Sequence, residues 1–425
     1  MAREMKDSGV PWIGMIPKEW RINKIKHHFT VISGATPKSE IASYWDGDIP
    51  WITPADYKTQ DKYVSHGRKS ITVEGYNSCG TSMIPAGSIV FSKRAPVGTV
   101  ALTANELCTN QGCLSCIAKD EANTTFFYYV MSVFTEQFEL VSTGTTFKEI
   151  AADVFSNFCL PTPSRKEQKR IADFLDDECA RIDAVIEKTR ASIEEYKKLK
   201  QSVITQAVTK GIRTKRKMKD SGIDWIGEIP EEWDVKRIKT IFSLRDERNN
   251  LPLEEVNLIS LYTDLGVVQH SDLEKTTGNK ASNADGYKIV HENDMIVNII
   301  LCWMGAIGRS AYSGVTSPAY DIYIPSEEIE CRFYHHYFRT PGFSGDCYKR
   351  GKGIMAMRWR TYSDQFRDIR VVVPPIDDQR EILKYLDRKT AQIDKLIDKK
   401  ENFIAEMESY KKSLIFEYVT GKMEC

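Results

Sequence analysis

The sequence predicts an α+β protein in which two mixed α/β domains are joined by two long helices. Three observations lead to this prediction. A 22-residue motif near the start recurs in the middle of the chain, each half contains one long stretch without Pro or Gly, and short apolar segments alternate with turn residues between motif and stretch. Each half is therefore expected to consist of an opening motif, a variable domain and a helix. The expected boundaries are 1–160 for the first domain with its motif, 161–213 for the first helix, 214–372 for the second domain and 373–425 for the second helix.

The repeat can be read directly from the sequence. MKDSGVPWIGMIPKEWRINKIK, starting at Met5, returns as MKDSGIDWIGEIPEEWDVKRIK from Met218, with 14 of 22 positions identical at an offset of 213 residues. A second set of matches follows at an offset of 211: Gln168, Ile171, Leu175, Asp176, Ala180, Ile182, Asp183 and Ile186 correspond to Gln379, Ile382, Leu386, Asp387, Ala391, Ile393, Asp394 and Ile397. The chain is therefore a tandem duplication.

The two long helices are predicted from what their stretches lack and from how they end. Residues 164–210 and 376–420 contain neither Pro nor Gly, and each stretch is followed by a glycine, Gly211 or Gly421. Glycine is favoured just beyond helix ends, and Ser164 with Glu167 fits a capping box at the first helix start. Helices of this length extend roughly 70 Å at about 1.5 Å per residue.

Apolar residues recur along both helices in alternating steps of four and three, which is typical of coiled coils. The predicted seam of the second helix is Ile382, Leu386, Lys389, Ile393, Leu396, Lys400, Phe403, Met407, Tyr410, Leu414 and Glu417, and that of the first is Ile171, Leu175, Glu178, Ile182, Val185, Thr189, Ser192, Tyr196, Leu199, Val203 and Gln206. We expect an antiparallel pair that returns Cys425 to the first domain, in a circular arrangement with a pseudo-twofold axis. The alternative is that each helix packs only on its own domain.

The variable domains combine short strands with short helices. Strands are predicted in SIVFSKRAPVGTVAL, from Ser88, and in DMIVNIILCWMGAIGRSAY, from Asp294, because apolar runs there alternate with turn residues. The aromatic runs FFYYVMSVF, from Phe126, and FYHHYF, from Phe333, are interpreted as packed helices. Base stacking by these aromatic residues is the alternative.

Composition indicates a folded cytoplasmic protein. Hydrophobic residues make up 41% and charged residues 28% of the chain, as in ordinary globular proteins. The longest mostly apolar run, Met295–Gly308, is too short to span a bilayer, and the start lacks the apolar core of a signal peptide. The ten cysteines are expected to be reduced. The 59 basic residues equal the 59 acidic ones, so any nucleic-acid site depends on local segregation of charge.

The strongest local segregation of charge lies at Tyr348–Tyr362, YKRGKGIMAMRWRTY, which contains no acidic residue. Arginine can hold phosphates or guanine edges with two hydrogen bonds, and glycines allow close approach of the backbone. An ordinary solvated basic loop is the alternative. The candidate DNA-binding residues in this segment are Lys349, Arg350, Lys352, Arg358 and Arg360.

The first domain has weaker candidates at the corresponding place. STGTTFKEI, from Ser142, supplies Thr145, Thr146 and Lys148. A further set follows a predicted strand in each half: Lys93 and Arg94 in the first domain and Arg309 in the second. Trp45, Trp51 and Tyr57 could stack on bases, although packing beneath a turn is the favoured interpretation.

Motifs of catalysis are missing from the sequence. It contains no phosphate-binding loop of the Walker type and no His-Glu-x-x-His zinc motif, and we see no adenine-methyltransferase motif. Cys108, Cys113 and Cys116, with Cys79 nearby, could bind zinc. LCTNQGCLSCIA nevertheless alternates like a buried strand, and the second half has no matching set. We therefore expect neither a metal site nor enzymatic activity.

Several motifs in order resemble the specificity subunits of type I restriction-modification systems. They are WIGEIPEEW in the second opening motif, SGATPKSEIASYWDGDIPWI in the first domain, GTTFKEI before the first helix, LPTPSRKEQKRIADFLD and VPPIDDQREILKYLD at the helix starts, and AVTKGI and YVTGKM at the helix ends. The resemblance covers nearly the whole chain.

The resemblance implies that each variable domain is a target recognition domain reading one half of a split DNA site, with the helices setting the unread gap. It implies two methyltransferase subunits that modify adenine with S-adenosylmethionine, and endonuclease subunits that use ATP and Mg²⁺, as partners; this chain would bind no cofactor. The two domains differ in sequence, so an asymmetric target is expected. The alternatives are a coiled-coil scaffold that binds proteins, and a nuclease or methyltransferase with an unfamiliar site.

Overall fold

The computed structural model describes residues 3–58, 61–94, 96–119, 122–144, 148–272, 283–353 and 359–425. The chain forms two compact units. Unit 1 comprises Met1–Thr189 and Asn402–Cys425, and unit 2 comprises Arg190–Glu401. Each unit therefore contains one variable domain and parts of both long helices.

Unit 1 is built from short strands, short helices and the start of the first long helix. Its helices are α1 (Ile25–His28), α2 (Val73–Asn77), α3 (Thr124–Val133), α4 (Thr135–Leu140), α5 (Ala152–Ser156) and α6 (Arg165–Lys210), the last of which continues into unit 2. Its strands are β1 (Met5–Asp7), β2 (Met15–Pro17), β3 (Arg21–Lys24), β4 (Phe29–Ser33), β5 (Trp45–Ile52), β6 (Tyr63–Val64), β7 (Lys69–Ile71), β8 (Ile89–Ser92), β9 (Val100–Thr103), β10 (Cys108–Thr109), β11 (Cys113–Ala118) and β12 (Cys159–Thr162).

The core of unit 1 lies beneath a five-stranded sheet of order β4-β11-β8-β9-β6. β8 pairs antiparallel with β9 and β11, and all four residues of β8 are buried. A three-stranded sheet, β10-β5-β7, holds Trp51 in a separate small cluster. The aromatic run in α3 is buried from Phe126 to Met131, so the predicted packing role is confirmed.

Unit 2 repeats this plan with different loops. Its helices are α7 (Ile238–Ile241), α8 (Cys331–Phe338), α9 (Pro341–Arg350), α10 (Ser363–Arg367) and α11 (Ile376–Val419), the last of which continues into unit 1. Its strands are β13 (Met218–Asp220), β14 (Glu228–Pro230), β15 (Asp234–Arg237), β16 (Phe242–Arg245), β17 (Ile259–Tyr262), β18 (Gly266–Gln269), β19 (Lys288–Val290), β20 (Met295–Asn298), β21 (Ile307–Arg309), β22 (Gly314–Thr316), β23 (Tyr320–Pro325) and β24 (Arg370–Val373).

The central sheet of unit 2 has the order β16-β23-β20-β21 and is antiparallel throughout. Phe333, Tyr334, Tyr337 and Phe338 on α8 are fully buried against it. The second aromatic run is therefore a packed helix too, as the sequence predicted.

Each opening motif is tied to the start of the long helix of its own half. In unit 1 the fully buried Trp20 donates its indole N–H to Glu167 Oε2 at 3.0 Å, and Arg3 donates to Glu167 Oε1 at 2.7 Å. In unit 2 Trp233 donates to Asp378 Oδ2 at 2.9 Å. The Ser164 hydroxyl accepts the Glu167 backbone N–H at 3.3 Å, so only one half of the predicted capping box is present, because the Glu167 carboxylate is used by the motif.

The long helices run antiparallel within each unit. In unit 1, Lys411 Nζ lies 2.7 Å from the Asp183 carboxylate, while Phe174 packs on Tyr418 nearer the start of α6. In unit 2, Lys200 Nζ lies 2.7 Å from Asp394. The two ion pairs are equivalent contacts in the duplication, since Asp394 and Lys411 lie 211 residues after Asp183 and Lys200. The predicted antiparallel pairing is thus confirmed within both units.

The predicted helix seam is confirmed at its buried members and wrong at five others. The buried members are Ile171, Leu175, Ile182, Ile382, Leu386, Ile393 and Leu414. Val185, Leu199, Leu396, Phe403 and Tyr410 are between 40% and 53% exposed. Ile186 and Ile397, one position after Val185 and Leu396, are buried instead. A repeat of 3.5 residues fits steps of four and three equally well in either order. Both alternatives are apolar at Val185-Ile186 and Leu396-Ile397, so periodicity alone could not choose between them.

The end of the chain returns to the first domain, as predicted. Glu424 lies 3.9 Å from Arg3. Gly421 adopts a left-handed conformation, φ +71°, and a Cβ atom there would come within 2.5 Å of Pro17. Glycine is therefore required both by the turn that ends α11 and by the close approach of the opening motif.

Candidate nucleic-acid interface

A closed loop lies before α5 in unit 1. Thr143 and Glu149 exchange two backbone hydrogen bonds, of 3.0 and 2.9 Å, and so close the segment 144–148, which we call loop 1. The next residue, Ile150, donates its backbone N–H to the carbonyl of Lys93, just beyond β8, at 3.0 Å. The chain that follows loop 1 is thereby fixed to the central sheet.

A loop of the same construction lies before α10 in unit 2. Lys352 and Arg360 exchange backbone hydrogen bonds of 2.9 and 3.0 Å and close the segment 353–359, which we call loop 2. Thr361 donates to the carbonyl of Ile299, just beyond β20, at 2.9 Å. Glu149 and Arg360, and likewise Ile150 and Thr361, are 211 residues apart. The two loops are therefore equivalent positions of one scaffold, closed over five residues in one unit and seven in the other.

Two of the predicted residues, Lys93 and Arg94, meet an acid at the end of loop 1. Lys93 Nζ lies 3.0 Å and Arg94 Nε 2.9 Å from the Glu149 carboxylate. Burial raises the pKa of Glu149, but the hydrogen bonds from Lys93 and Arg94 outweigh burial and hold its pKa below the ordinary value. Lys148 is exposed beside this triad. The loop 1 surface is thus less basic than its lysines and arginine suggest.

Basic residues lie at both ends of loop 2. Lys349, Arg350, Lys352 and Arg360 are all exposed at its two ends, and Arg350 lies 3.4 Å from Asp368, near the end of α10. The segregation of basic charge that the sequence suggested is therefore present on the surface of unit 2.

An aromatic stack that sequence reasoning missed supports loop 2. Tyr348 stacks on Trp359, with centroids 4.9 Å apart and planes 21° apart, and packs on Trp303 from the turn after β20. Trp359 donates its indole N–H to the carbonyl of Tyr348 at 3.1 Å and covers Gly351, where a Cβ atom would come within 2.3 Å. Gly351 and Trp359, both within Tyr348–Tyr362, were the signal available in the sequence. The stack fixes the base of loop 2.

The remaining candidates fall elsewhere. Arg309 donates from Nε to Asn293 Oδ1 at 2.7 Å and is paired with Met295 across the β20–β21 hairpin. This pair lies at the open end of the hairpin, whereas Trp303 lies in the turn at the other end. The structure does not bring it to loop 2. Thr145, Thr146 and Arg358 lie outside the described residues. Their contact with DNA stays a prediction, as does that of the other candidates.

The aromatic residues near the start of the first domain are mainly structural. Trp51 and Tyr57 are 5% and 2% exposed, and Trp45 packs edge-on against Trp51 with centroids 5.2 Å apart. The favoured interpretation, packing beneath a turn, is confirmed for Trp51 and Tyr57.

The cysteines near the first sheet are buried thiols. Cys108, Cys113 and Cys116 lie on β10 and β11 and are fully buried, and burial raises the pKa of Cys108 to about 11 and that of Cys113 to about 12. Within the described ranges, no group of three or more His, Cys, Asp or Glu side chains is arranged to hold a metal ion. Across those same ranges, no helix is long and apolar enough to cross a membrane.

Two units with one scaffold and different loop chemistry match one protein family across most of the chain. The sequence model for the "type I restriction modification DNA specificity domain" matches residues 17–195 and again 230–406. The chain belongs to this family. Its duplicated architecture is therefore two consecutive copies of the family domain, each ending within a long helix.

Relatives with similar sequences agree with this membership. The chain is 33% identical over 249 residues to the MjaIX specificity subunit of Methanocaldococcus jannaschii, a match covering 57% of this chain and 56% of that one; it thus spans about half of that relative. It is 22% identical over 386 residues to the Escherichia coli EcoBI specificity subunit, covering 81% and 76%.

Two solved structures share the fold. One, described as the structural basis of complex assembly and conformational transition of the type I R-M system, has a TM-score of 0.71 at 14% identity, covering 96% of this chain and 99% of that one. The HsdS subunit from Thermoanaerobacter tengcongensis has a TM-score of 0.54 at 15% identity, covering 96% and 98%. These similarities confirm the predicted α+β architecture.

Proposed function

We propose that this chain is the DNA-reading specificity subunit of a type I restriction-modification complex, in which each unit reads one half of a split site. The observation that carries the proposal is the pair of equivalent loops. The residues that follow the two loops are held to the central sheet in the same way, yet loop 1 is flanked by Glu149 and loop 2 by Arg360. A common scaffold with divergent side chains is suited to presenting different readout groups to DNA, because base edges are distinguished by hydrogen-bond donors and acceptors.

The two half-sites should differ. Arginine at loop 2 favours guanine edges and phosphates, whereas a carboxylate such as Glu149 is an acceptor for which cytosine N4 is the suitable donor. The target is therefore proposed to be asymmetric, with one adenine methylated on each strand. The paired helices would set the length of the unread gap.

Chemistry is assigned to partners. We propose two methyltransferase subunits that use S-adenosylmethionine and endonuclease subunits that use ATP and Mg²⁺, with no cofactor bound and no reaction catalysed by this chain. The complex would act on cytoplasmic DNA. The duplication supports two copies of one partner, because surfaces that recur in both units can bind the same protein twice.

One such surface consists of the exposed apolar residues beside the helix seam. Unit 1 exposes Val185 and Tyr410, and unit 2 exposes the equivalent residues Leu396 and Leu199, each between 40% and 53%. Exposed apolar residues that recur at matching places mark interaction sites more than isolated ones do. We assign these residues to contact with the methyltransferase subunits.

Neutral net charge supports dependence on these partners. Neutralisation of phosphates supplies much of the affinity of DNA-binding proteins, and this chain has 59 basic and 59 acidic residues. The isolated chain should bind DNA weakly in physiological salt, and the assembled complex should bind it tightly. Tight, specific binding by the chain alone would contradict this part of the proposal.

The deciding experiment is to map methylated adenines in cells that carry the gene, lack it, or carry it again on a plasmid. A split, asymmetric motif should be present, vanish on deletion and return on complementation. An unchanged pattern of methylation would refute the proposed function and favour a protein-binding scaffold.

The spacer role has its own test. Seven residues inserted after Ile193 and seven after the equivalent Ile404 add about 10.5 Å to each helix at 1.5 Å per residue. The gap should lengthen by about three base pairs, at about 3.4 Å per base pair, with both half-sites unchanged. Altered half-sites, or an unaltered gap, would contradict the spacer role.

A further inference from the structure

The opening motif ends in a basic turn that is the same in both units. Ile25 and Ile238 begin α1 and α7 and are fully buried, while the lysines that follow, Lys26 and Lys239, are exposed. Ile25 donates its backbone N–H to the carbonyl of Phe158 at 3.1 Å, and Ile238 makes the equivalent bond to Ile369 at 3.0 Å. The buried isoleucines and these bonds hold the two lysines in equivalent places.

In unit 2 the turn gathers three cations around one carboxylate. Asp368 accepts hydrogen bonds from Arg237, from Lys239 at 3.2 Å and from Arg350 at 3.4 Å. The hydrogen bond from Lys239, together with the charge of Arg237, holds the pKa of Asp368 below its ordinary value. Positive charge remains in excess. Since Arg350 ends α9 two residues before Lys352, the turn and the cations at the ends of loop 2 form one basic surface.

Unit 1 has three cations at the equivalent turn. Lys24 and Lys26 occupy the positions of Arg237 and Lys239, and the neutral Asn157 stands where unit 2 has Asp368. The third cation is Lys119, whose Nζ lies 2.7 Å from the carbonyl oxygen of Lys26. The third cation thus comes from the variable domain in both units, although from unrelated segments.

A repeated cluster beside divergent loops calls for a ligand that both units share. The bases read by the two units would differ, but the phosphate backbone is the same in both half-sites and is bound through charge. A partner that itself supplies basic surface, as proposed above, would be repelled by three cations. We propose that the basic turns, centred on Lys24 and Lys26 in unit 1 and on Arg237 and Lys239 in unit 2, bind DNA phosphates independently of sequence.

This inference rests on the proposed function and can fail separately from it. The test variant carries both Lys26→Ala and Lys239→Ala in one full-length chain, assembled with its methyltransferase subunits. Its DNA binding is compared with that of wild type. The matched control combines Lys6→Ala with Lys219→Ala, since these lysines are also identical in the two motifs but lie on β1 and β13. Binding is measured by fluorescence anisotropy over a salt series, on a duplex with the mapped methylation motif and on one without it.

Two lost phosphate contacts should lower the slope of log affinity against log salt by about 1.8, at about 0.9 per contact. The affinity should fall by the same factor on both duplexes, and the control should bind like wild type. Lys26→Arg with Lys239→Arg should restore the slope, because charge is kept.

Three outcomes would overturn the proposal. They are an unchanged slope in the alanine variant, a loss confined to the duplex with the motif, and a loss of methyltransferase subunits on gel filtration, which would assign the turns to protein docking. If wild type binds neither duplex, the proposed function itself fails. Circular dichroism melts of all variants show whether a loss reflects unfolding.

Discussion

Ile397 and Leu396 are neighbours on α11, yet truncating them should have different consequences. Ile397 is 9% exposed and Leu396 is 41% exposed. Truncating a buried aliphatic side chain to Ala costs about 2–5 kcal/mol, through lost burial and the cavity left behind. Because few side chains surround a seam between two helices, we expect Ile397→Ala to lower the free energy of unfolding by about 2–3 kcal/mol, at the lower end of that range. Leu396→Ala should lower it by about 1 kcal/mol or less, because much of the Leu396 side chain is already in water.

Hydrogen exchange of α11 peptides is the appropriate assay, since it reports the free energy of local opening without assuming a single unfolding step for a chain with two units. The pair Ile186→Ala and Val185→Ala repeats the comparison in unit 1, where the side chains are 4% and 40% exposed. Leu396→Ala should instead weaken capture of the methyltransferase subunits. The seam assignment is refuted if Leu396→Ala destabilises the helix as much as Ile397→Ala.

Three further predictions concern charge and loop support. Glu149→Gln frees the two cations paired with Glu149, so binding to unrelated duplex DNA, measured by fluorescence anisotropy, should tighten. The slope of log affinity against log salt should steepen by about 0.9 for each cation that reaches a phosphate. An unchanged slope would count against a DNA role for loop 1. Asp378→Asn should destabilise unit 2 by about 3 kcal/mol in thermal melts at pH 7, because it breaks an ion pair with Arg216 whose side chains are each 12% exposed. The pKa of Asp378 is lowered, chiefly by the hydrogen bond from Arg216. Ionised Asp378 therefore stabilises the fold fully above the unfolded pKa of about 4, and this stabilisation is lost as pH falls through the folded pKa. The stability difference between the variant and wild type should shrink in acid, and a difference that does not change with pH would disprove the linkage. The Cβ atom added by Gly351→Ala would meet Trp359. In a methylation map, this variant should lower the sequence specificity at the half-site read by unit 2 and leave the other half-site unchanged. An equal change at both half-sites would contradict separate reading.

Much of the fold could be predicted because its signals are local. The helix bounds expected from missing Pro and Gly, 164–210 and 376–420, agree within a residue with Arg165–Lys210 and Ile376–Val419. The aromatic runs at Phe126 and Phe333 were correctly interpreted as packed helices. Such features depend on neighbouring residues in the chain, so the sequence contains them in full.

The candidate site was less predictable, because it depends on contacts distant in the chain. Lys93 and Arg94 looked like free cations, but Glu149 approaches them from more than fifty residues away. The sequence placed the two loops at corresponding positions, but their common attachment to the central sheet, through the backbone hydrogen bonds of Ile150 and Thr361, emerged only from the structure.

The amino-acid sequence by itself determined the duplication, the order of elements in each half and the extent of the long helices, since repeats, glycine stops and helical periodicity are written along the chain. Only the tertiary structure decided which apolar residues form the helix seam and which cations remain exposed. A 3.5-residue period is compatible with two seams, and packing against a specific partner buries one of them. Likewise, a side chain's charge is encoded by its residue type, but its availability to DNA depends on which carboxylates the fold brings within 4 Å.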